Sequence, residues 1–89
     1  MKQARLNISG RVQGVWFRGA AKDEAKKLGL VGYAKNVDDG SVEILIQGEE
    51  GAIRKFIEWC RQGPEIAQVD NVDVRWKEPD LSKLEFEVR

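Results

Sequence analysis

Apolar and polar residues alternate at the start of the chain. Leu6, Ile8, Gly10 and Val12 are separated by Asn7, Ser9 and Arg11, which predicts a strand with one buried face. A short connector, Gln13-Gly14-Val15-Trp16-Phe17, follows. The period then lengthens: Ala21, Ala25 and Leu28 recur at helical spacing among charged residues, and Gly29 supplies a stop, so a helix is predicted over 17–28. Residues 31–37 read as a second strand. Asp38-Asp39-Gly40-Ser41 is a turn signal, because glycine tolerates positive φ and aspartate bonds its own backbone. Val42, Ile44 and Ile46 alternate with Glu43, Leu45 and Gln47 and complete a hairpin. Ala52, Ile53, Phe56, Ile57 and Cys60 form the apolar stripe of a second helix, ended by Gly63-Pro64. Val72, Val74 and Trp76, then Leu84, Phe86 and Val88, predict two closing strands separated by Pro79-Asp80.

The order is β-α-β-β-α-β with a short fifth strand, an α+β pattern. Two helices on one face of an antiparallel sheet bury their stripes in a single layer, which is the ferredoxin-like split βαβ sandwich. No repeat, low-complexity stretch or linker interrupts residues 1–89, so a single domain is expected. That architecture hosts enzymes, metal carriers, RNA binders and regulatory modules, so function has to be read from particular residues.

Composition removes several options. Lys plus Arg and Asp plus Glu each number 15, for a formal charge of zero, which disfavours a strongly basic nucleic-acid binder. The charge is unevenly spread. Residues 1–36 carry eight basic groups (Lys2, Arg5, Arg11, Arg18, Lys22, Lys26, Lys27, Lys35) against Asp23 and Glu24, a net +6, so an anion is more welcome in this half. Histidine is absent and cysteine occurs once. Imidazole general bases, Ser/His and Cys/His pairs, an intramolecular disulfide and a Cys/His zinc site are therefore excluded. Cys60 reads as core filler. The N-terminus lacks an apolar leader pattern and no apolar run approaches membrane-spanning length. A cytoplasmic, monomeric domain with no metal, cofactor, membrane or nucleic-acid partner is expected.

The chemistry concentrates where the first strand meets the first helix, at Arg11-Val12-Gln13-Gly14-Val15-Trp16-Phe17-Arg18. Helix N-termini present unpaired N–H groups and a partial positive charge, and Gly14 permits successive amides to turn inward. Arg18 in the first helical turn has the wrong sign for that dipole unless an anion lies between them. Gly10, Gly14 and Gly19 fit neither a dinucleotide fingerprint nor a Walker A loop. An ordinary βα connection with a surface arginine and a phosphate cradle both remain compatible with these residues. Asn36, ahead of the turn, could fix a water beside a phosphate or serve only that turn. Trp16 could shield the site or cap the core, while Trp59 and Trp76 read as packing residues. Asp38 and Asp39 are explained by turn chemistry, and Lys22, Lys26 and Lys27 by a solvated helix face that steers anions. The competing reading of an RNA-binding module lacks the family's aromatic pattern.

At two segments the chain resembles the acylphosphatases. Gly10, Val12, Gln13, Gly14, Val15, Phe17 and Arg18 match the family's motif G-x-V-Q-G-V-x-F-R. Gly32, Tyr33, Lys35, Asn36, Gly40 and Val42 match its second, G-[FYW]-x-[KR]-N followed by a turn and G-x-V. Leu28-Gly29-Leu30 and Gly63-Pro64 are similar as well. The resemblance implies metal-independent hydrolysis of an acyl phosphate to a carboxylate and inorganic phosphate. It further implies that Arg18 grips the phosphoryl group, that Asn36 orients the attacking water, and that backbone amides of Gln13, Gly14, Val15, Trp16, Phe17 and Arg18 cradle the phosphate. The chain departs from the family pattern at Ala21, where many relatives carry threonine, and at Tyr33-Ala34 in place of a common Trp-Val.

Overall fold

A computed structural model describes residues 1–82 and 85–89. Its elements follow the predicted order: β1 (Lys2–Arg11), α1 (Phe17–Lys27), β2 (Val31–Asn36), β3 (Val42–Gly48), α2 (Glu50–Gln62), β4 (Gln68–Lys77) and β5 (Phe86–Val88). The strands form one sheet in the order β4-β1-β3-β2-β5. Ala4, Leu6 and Ile8 of β1 and Val42, Ile44 and Ile46 of β3 sit on one face of its centre. They share a continuous core with Phe17, Ala21 and Ala25 of α1 and Ile53, Phe56 and Cys60 of α2. The period-2 and helical stripes meet there, and Cys60 is the core filler expected.

α1 ends as its sequence indicates. Leu30 N–H donates to the Ala25 carbonyl and Gly29 N–H to that of Lys26, around a left-handed Gly29. This is the six-to-one and five-to-two bonding that a terminal glycine permits.

One expectation is corrected. β1 pairs antiparallel with β3 and β4, and β2 with β3, but β5 joins β2 in parallel, so the sheet is mixed rather than antiparallel throughout. The cause is where the chain returns. β4 ends beside the start of β1, the same end of the sheet at which β2 begins. The segment after β4 passes the end of β3, where Gln47 Nε2 donates to the Asp80 carbonyl (2.8 Å) and Asp80 N–H donates to Gln47 Oε1 (2.6 Å). A strand that starts from this end beside β2 must run in the sense of β2. Leu84, expected to open the last strand, lies outside the described residues.

The crossing segment also explains why two alternating polar residues are not solvent-facing. Gln47 and Gln3 are only 2% and 4% exposed, joined by a Gln3 Nε2 donation to Gln47 Oε1 (3.0 Å). β4 begins four residues before the apolar alternation because a bulge in β1 between Ser9 and Gly10 carries the pairing on to Val69 and Gln68. A Cβ at Gly10 would lie 2.2 Å from the Gln68 carbonyl oxygen, so only glycine admits the close approach. Trp59 packs against Phe17 and Phe56, whereas Trp76 is exposed on β4, with the Arg54 guanidinium 5.3 Å from its ring centre.

Candidate active site

The connector between β1 and α1 is held from below and open above. Val12, Val15 and Phe17 are buried in the core, while Gly14 and Trp16 face outward. Gly14 (φ 73°) and Trp16 (φ 62°) are left-handed and the intervening Val15 is not. Alternation of this kind turns successive N–H groups toward one side of the chain. α1 then starts with no side-chain cap and no acidic residue in its first turn. Its first amides have no intrahelical acceptors, so the donors point out of the helix end toward the same space.

Two elements close around that space. Asn36, the last residue of β2, pairs with Val42 and lies on the same sheet face as Ala34 and the helices. A cleft of about 260 Å³ is lined by Gly14, Trp16, Arg18, Gly19 and Asn36, together with Val88 of β5. The structure thus brings Arg18 and Asn36 together with the glycine loop, although 18 positions separate them in sequence. Arg18 Nη1 donates to the backbone oxygen of Arg89. Arg89 is itself held by its N–H on the Ala34 carbonyl (2.8 Å) and by its guanidinium 4.1 Å from the Tyr33 ring centre.

Gln13 turns away from the cleft. Its Nε2 donates to the carbonyls of Val37 (2.7 Å) and Ser41 (2.8 Å), which fastens the loop to the turn after Asn36. That turn is itself tied: Ser41 N–H and Oγ donate to Asp39 Oδ1 (2.9 and 2.6 Å), and Asn7 Nδ2 donates to Ser41 Oγ (3.1 Å). The loop and the asparagine therefore share one hydrogen-bonded frame. The Val15 side chain is core, so any part it takes in the cleft belongs to its backbone.

Displaced protonation equilibria occur in the turn after Asn36, on the open sheet face and in the core. The hydrogen bonds from Ser41 hold the Asp39 carboxyl below the usual range, consistent with its role in the turn. On the open sheet face, burial and the bond to Glu43 (2.7 Å) push the Tyr33 phenol up, and the same bond lowers Glu43. Burial raises the Cys60 thiol well above its ordinary value, which makes it inert. A larger depression, about 880 Å³, lies at the opposite end of the sheet among Lys2, Glu50, Arg54 and Trp76. Its central arginine is already engaged, by Glu50 at 2.8 Å and by the Trp76 ring.

Three participants were not read from the sequence. Val88 and Arg89 reach the cleft only through the parallel placement of β5, for which local pattern has no signal. Gly19 was legible in principle: it lies three residues after Trp16, the spacing at which a helix brings side chains over one another. Among the described residues no group of His, Cys, Asp and Glu could hold a metal, and no helix is long and apolar enough to cross a membrane.

Comparison with known proteins identifies the family and the fold. The acylphosphatase family model matches residues 4–88. The chain is 43% identical over 88 residues to an acylphosphatase of Roseiflexus sp. (strain RS-1), covering 99% of this chain and 95% of the relative. It is 45% identical over 87 residues to one of Anaeromyxobacter dehalogenans (strain 2CP-C), covering 98% and 94%. The crystal structure of acylphosphatase from Bacillus subtilis superposes with a TM-score of 0.96 at 38% identity, covering 100% of this chain and 99% of that one.

Proposed function

The chain belongs to the acylphosphatase family, enzymes that hydrolyse acyl phosphates, and we propose a mechanism in which Arg18, Asn36 and the 13–18 backbone act without a metal. The observation that carries the proposal is the single cleft shared by Gly14, Arg18 and Asn36 at an uncapped helix N-terminus. The phosphoryl oxygens accept hydrogen bonds from amides of Gln13 to Arg18 and from the Arg18 donors not engaged by Arg89. Asn36 offers a carbonyl that accepts from a water and an amide that donates, enough to aim the water along the line opposite the leaving group.

The water oxygen forms the new P–O bond while the bond from phosphorus to the carboxyl oxygen breaks. The leaving carboxylate keeps that electron pair, and the water's proton passes to a phosphoryl oxygen. A carboxylate leaves readily, so phosphoryl transfer here needs positioning and charge stabilisation more than a general acid. A chain with no histidine can supply both. Residues 1–89 act as one monomeric unit in this reading, with the acyl phosphate and phosphate as its only partners.

The test is benzoyl phosphate hydrolysis in EDTA by the wild type, Arg18→Ala and Asn36→Ala. Wild-type turnover is expected to persist in the chelator, and Arg18→Ala to lose at least about 10²-fold, as removal of a preorganised charge stabiliser does. Inactive wild-type protein whose melting temperature still rises with phosphate would reduce the cleft to an anion site. A pH–rate profile governed by a protein carboxyl group would remove the substrate-assisted proton transfer.

A further inference from the structure

The phosphate chemistry leaves one wall of the cleft unused. Trp16 is 66% exposed, and among the described residues it is the sole non-glycine residue at positive φ (φ 62°, ψ 26°). A bulky side chain in that region is strained, and such strain persists where the surroundings impose it, commonly at ligand sites. Core packing does not account for it, since Val15 and Phe17 on either side fill the interior. The indole instead lies over Gly19, in the first turn of α1. A Cβ at Gly19 would stand 2.3 Å from Trp16 Nε1 and 2.4 Å from Cε2, so the missing side chain is what lets the ring settle there.

Strain, exposure and a glycine cradle together fix a large aromatic surface on the rim beside Gly14, Arg18 and Asn36. With its phosphoryl group at the loop amides, a substrate held in this cleft has its acyl group beside the lining formed by the indole and Val88. We infer that Trp16 is the acyl-binding platform, and that it makes the enzyme selective for acyl phosphates with aromatic acyl groups over small aliphatic ones. This rests on the phosphate placement proposed above.

The experiment measures kcat/KM for benzoyl phosphate and for acetyl phosphate with wild type, Trp16→Asn, Trp16→Phe and Gly19→Ala. Asparagine tolerates the left-handed conformation, so Trp16→Asn removes the ring and keeps the turn. The benzoyl-to-acetyl ratio is expected to fall about tenfold in Trp16→Asn, the scale of one aromatic contact, and to be largely kept in Trp16→Phe. Gly19→Ala should lower the ratio too by displacing the indole, although alanine is the better helix former. An unchanged ratio in Trp16→Asn, with both rates falling together or neither falling, overturns the inference and leaves the proposed mechanism standing. A wild type that hydrolyses neither compound overturns both.

Discussion

The two ends of the sheet treat polar groups in opposite ways. At the Gln47 end, both ends of a buried amide are used: Nε2 on the Asp80 carbonyl, and Oε1 receiving Asp80 N–H and Gln3 Nε2. At the Arg18 end, the loop and uncapped helix aim amides into an open cleft, and the guanidinium spends one donor on a backbone oxygen. Closed polar networks hold a fold together, whereas donors converging on open space are poised for something the fold does not contain. Size misleads here, because the larger depression is the one whose arginine is already neutralised.

The comparison breaks most visibly by exchanging damage between the ends. Arg18→Ala should cost about 3–4 kcal/mol of transition-state stabilisation, read as a fall in kcat/KM. Its urea midpoint should stay near the wild type's. Gln47→Leu should do the reverse. Losing both bonds to Asp80 and the one from the buried Gln3 amide should lower unfolding stability by about 2 kcal/mol in urea titration, with kcat per folded molecule retained. A Gln47→Leu protein that stays stable but loses activity would mean the two ends are coupled.

Gln13 sharpens the contrast because it is a structural bond inside the functional end. Gln13→Ala removes both donations to the Val37 and Ser41 carbonyls. Loss of about 1 kcal/mol of stability is expected. KM for benzoyl phosphate should rise as the loop loosens from the Asn36 turn, and steady-state kinetics would show it.

The smallest effect is a pH dependence of the turn itself. Asp39 accepts from Ser41 and so releases its proton more readily folded than unfolded, below the ordinary 3.8. Below that value the unfolded chain binds more protons, so stability rises with pH in this window. The contribution is present above about pH 4 and is lost as pH falls through the folded value. The gap in melting temperature between wild type and Asp39→Ala should therefore be full at pH 6 and close toward pH 3, while a constant gap would assign the turn's strength elsewhere.

What the sequence made legible was local. Alternation at Leu6–Ile8 and Val42–Ile46, the stripe from Ile53 to Cys60, and the stops at Gly29 and Gly63 each depend on near neighbours, and the elements formed there. The roles expected of Gly14, Arg18 and Asn36 came from the resemblance to the acylphosphatases, since local pattern alone left each of them open. What stayed hidden depended on contacts between distant segments. Gln47 reads as an outward residue because nothing nearby announces that it will bond to Asp80 and to Gln3. Leu45 is 8% exposed, although its pattern places it on the uncovered face, across from Arg5 and Tyr33. The left-handed Trp16 could not be read from its residue type, which argues against that conformation.

The parallel course of β5 has a consequence for how the molecule matures. The oxygen that meets Arg18 lies 71 positions further along the chain, on the residue after the last strand. Closing so long a loop carries an entropic cost that local helix formation does not. A refolding chain can regain its helical signal before β5 lines the cleft. The lag between circular dichroism and returning hydrolysis is then a clock for the docking of the final strand.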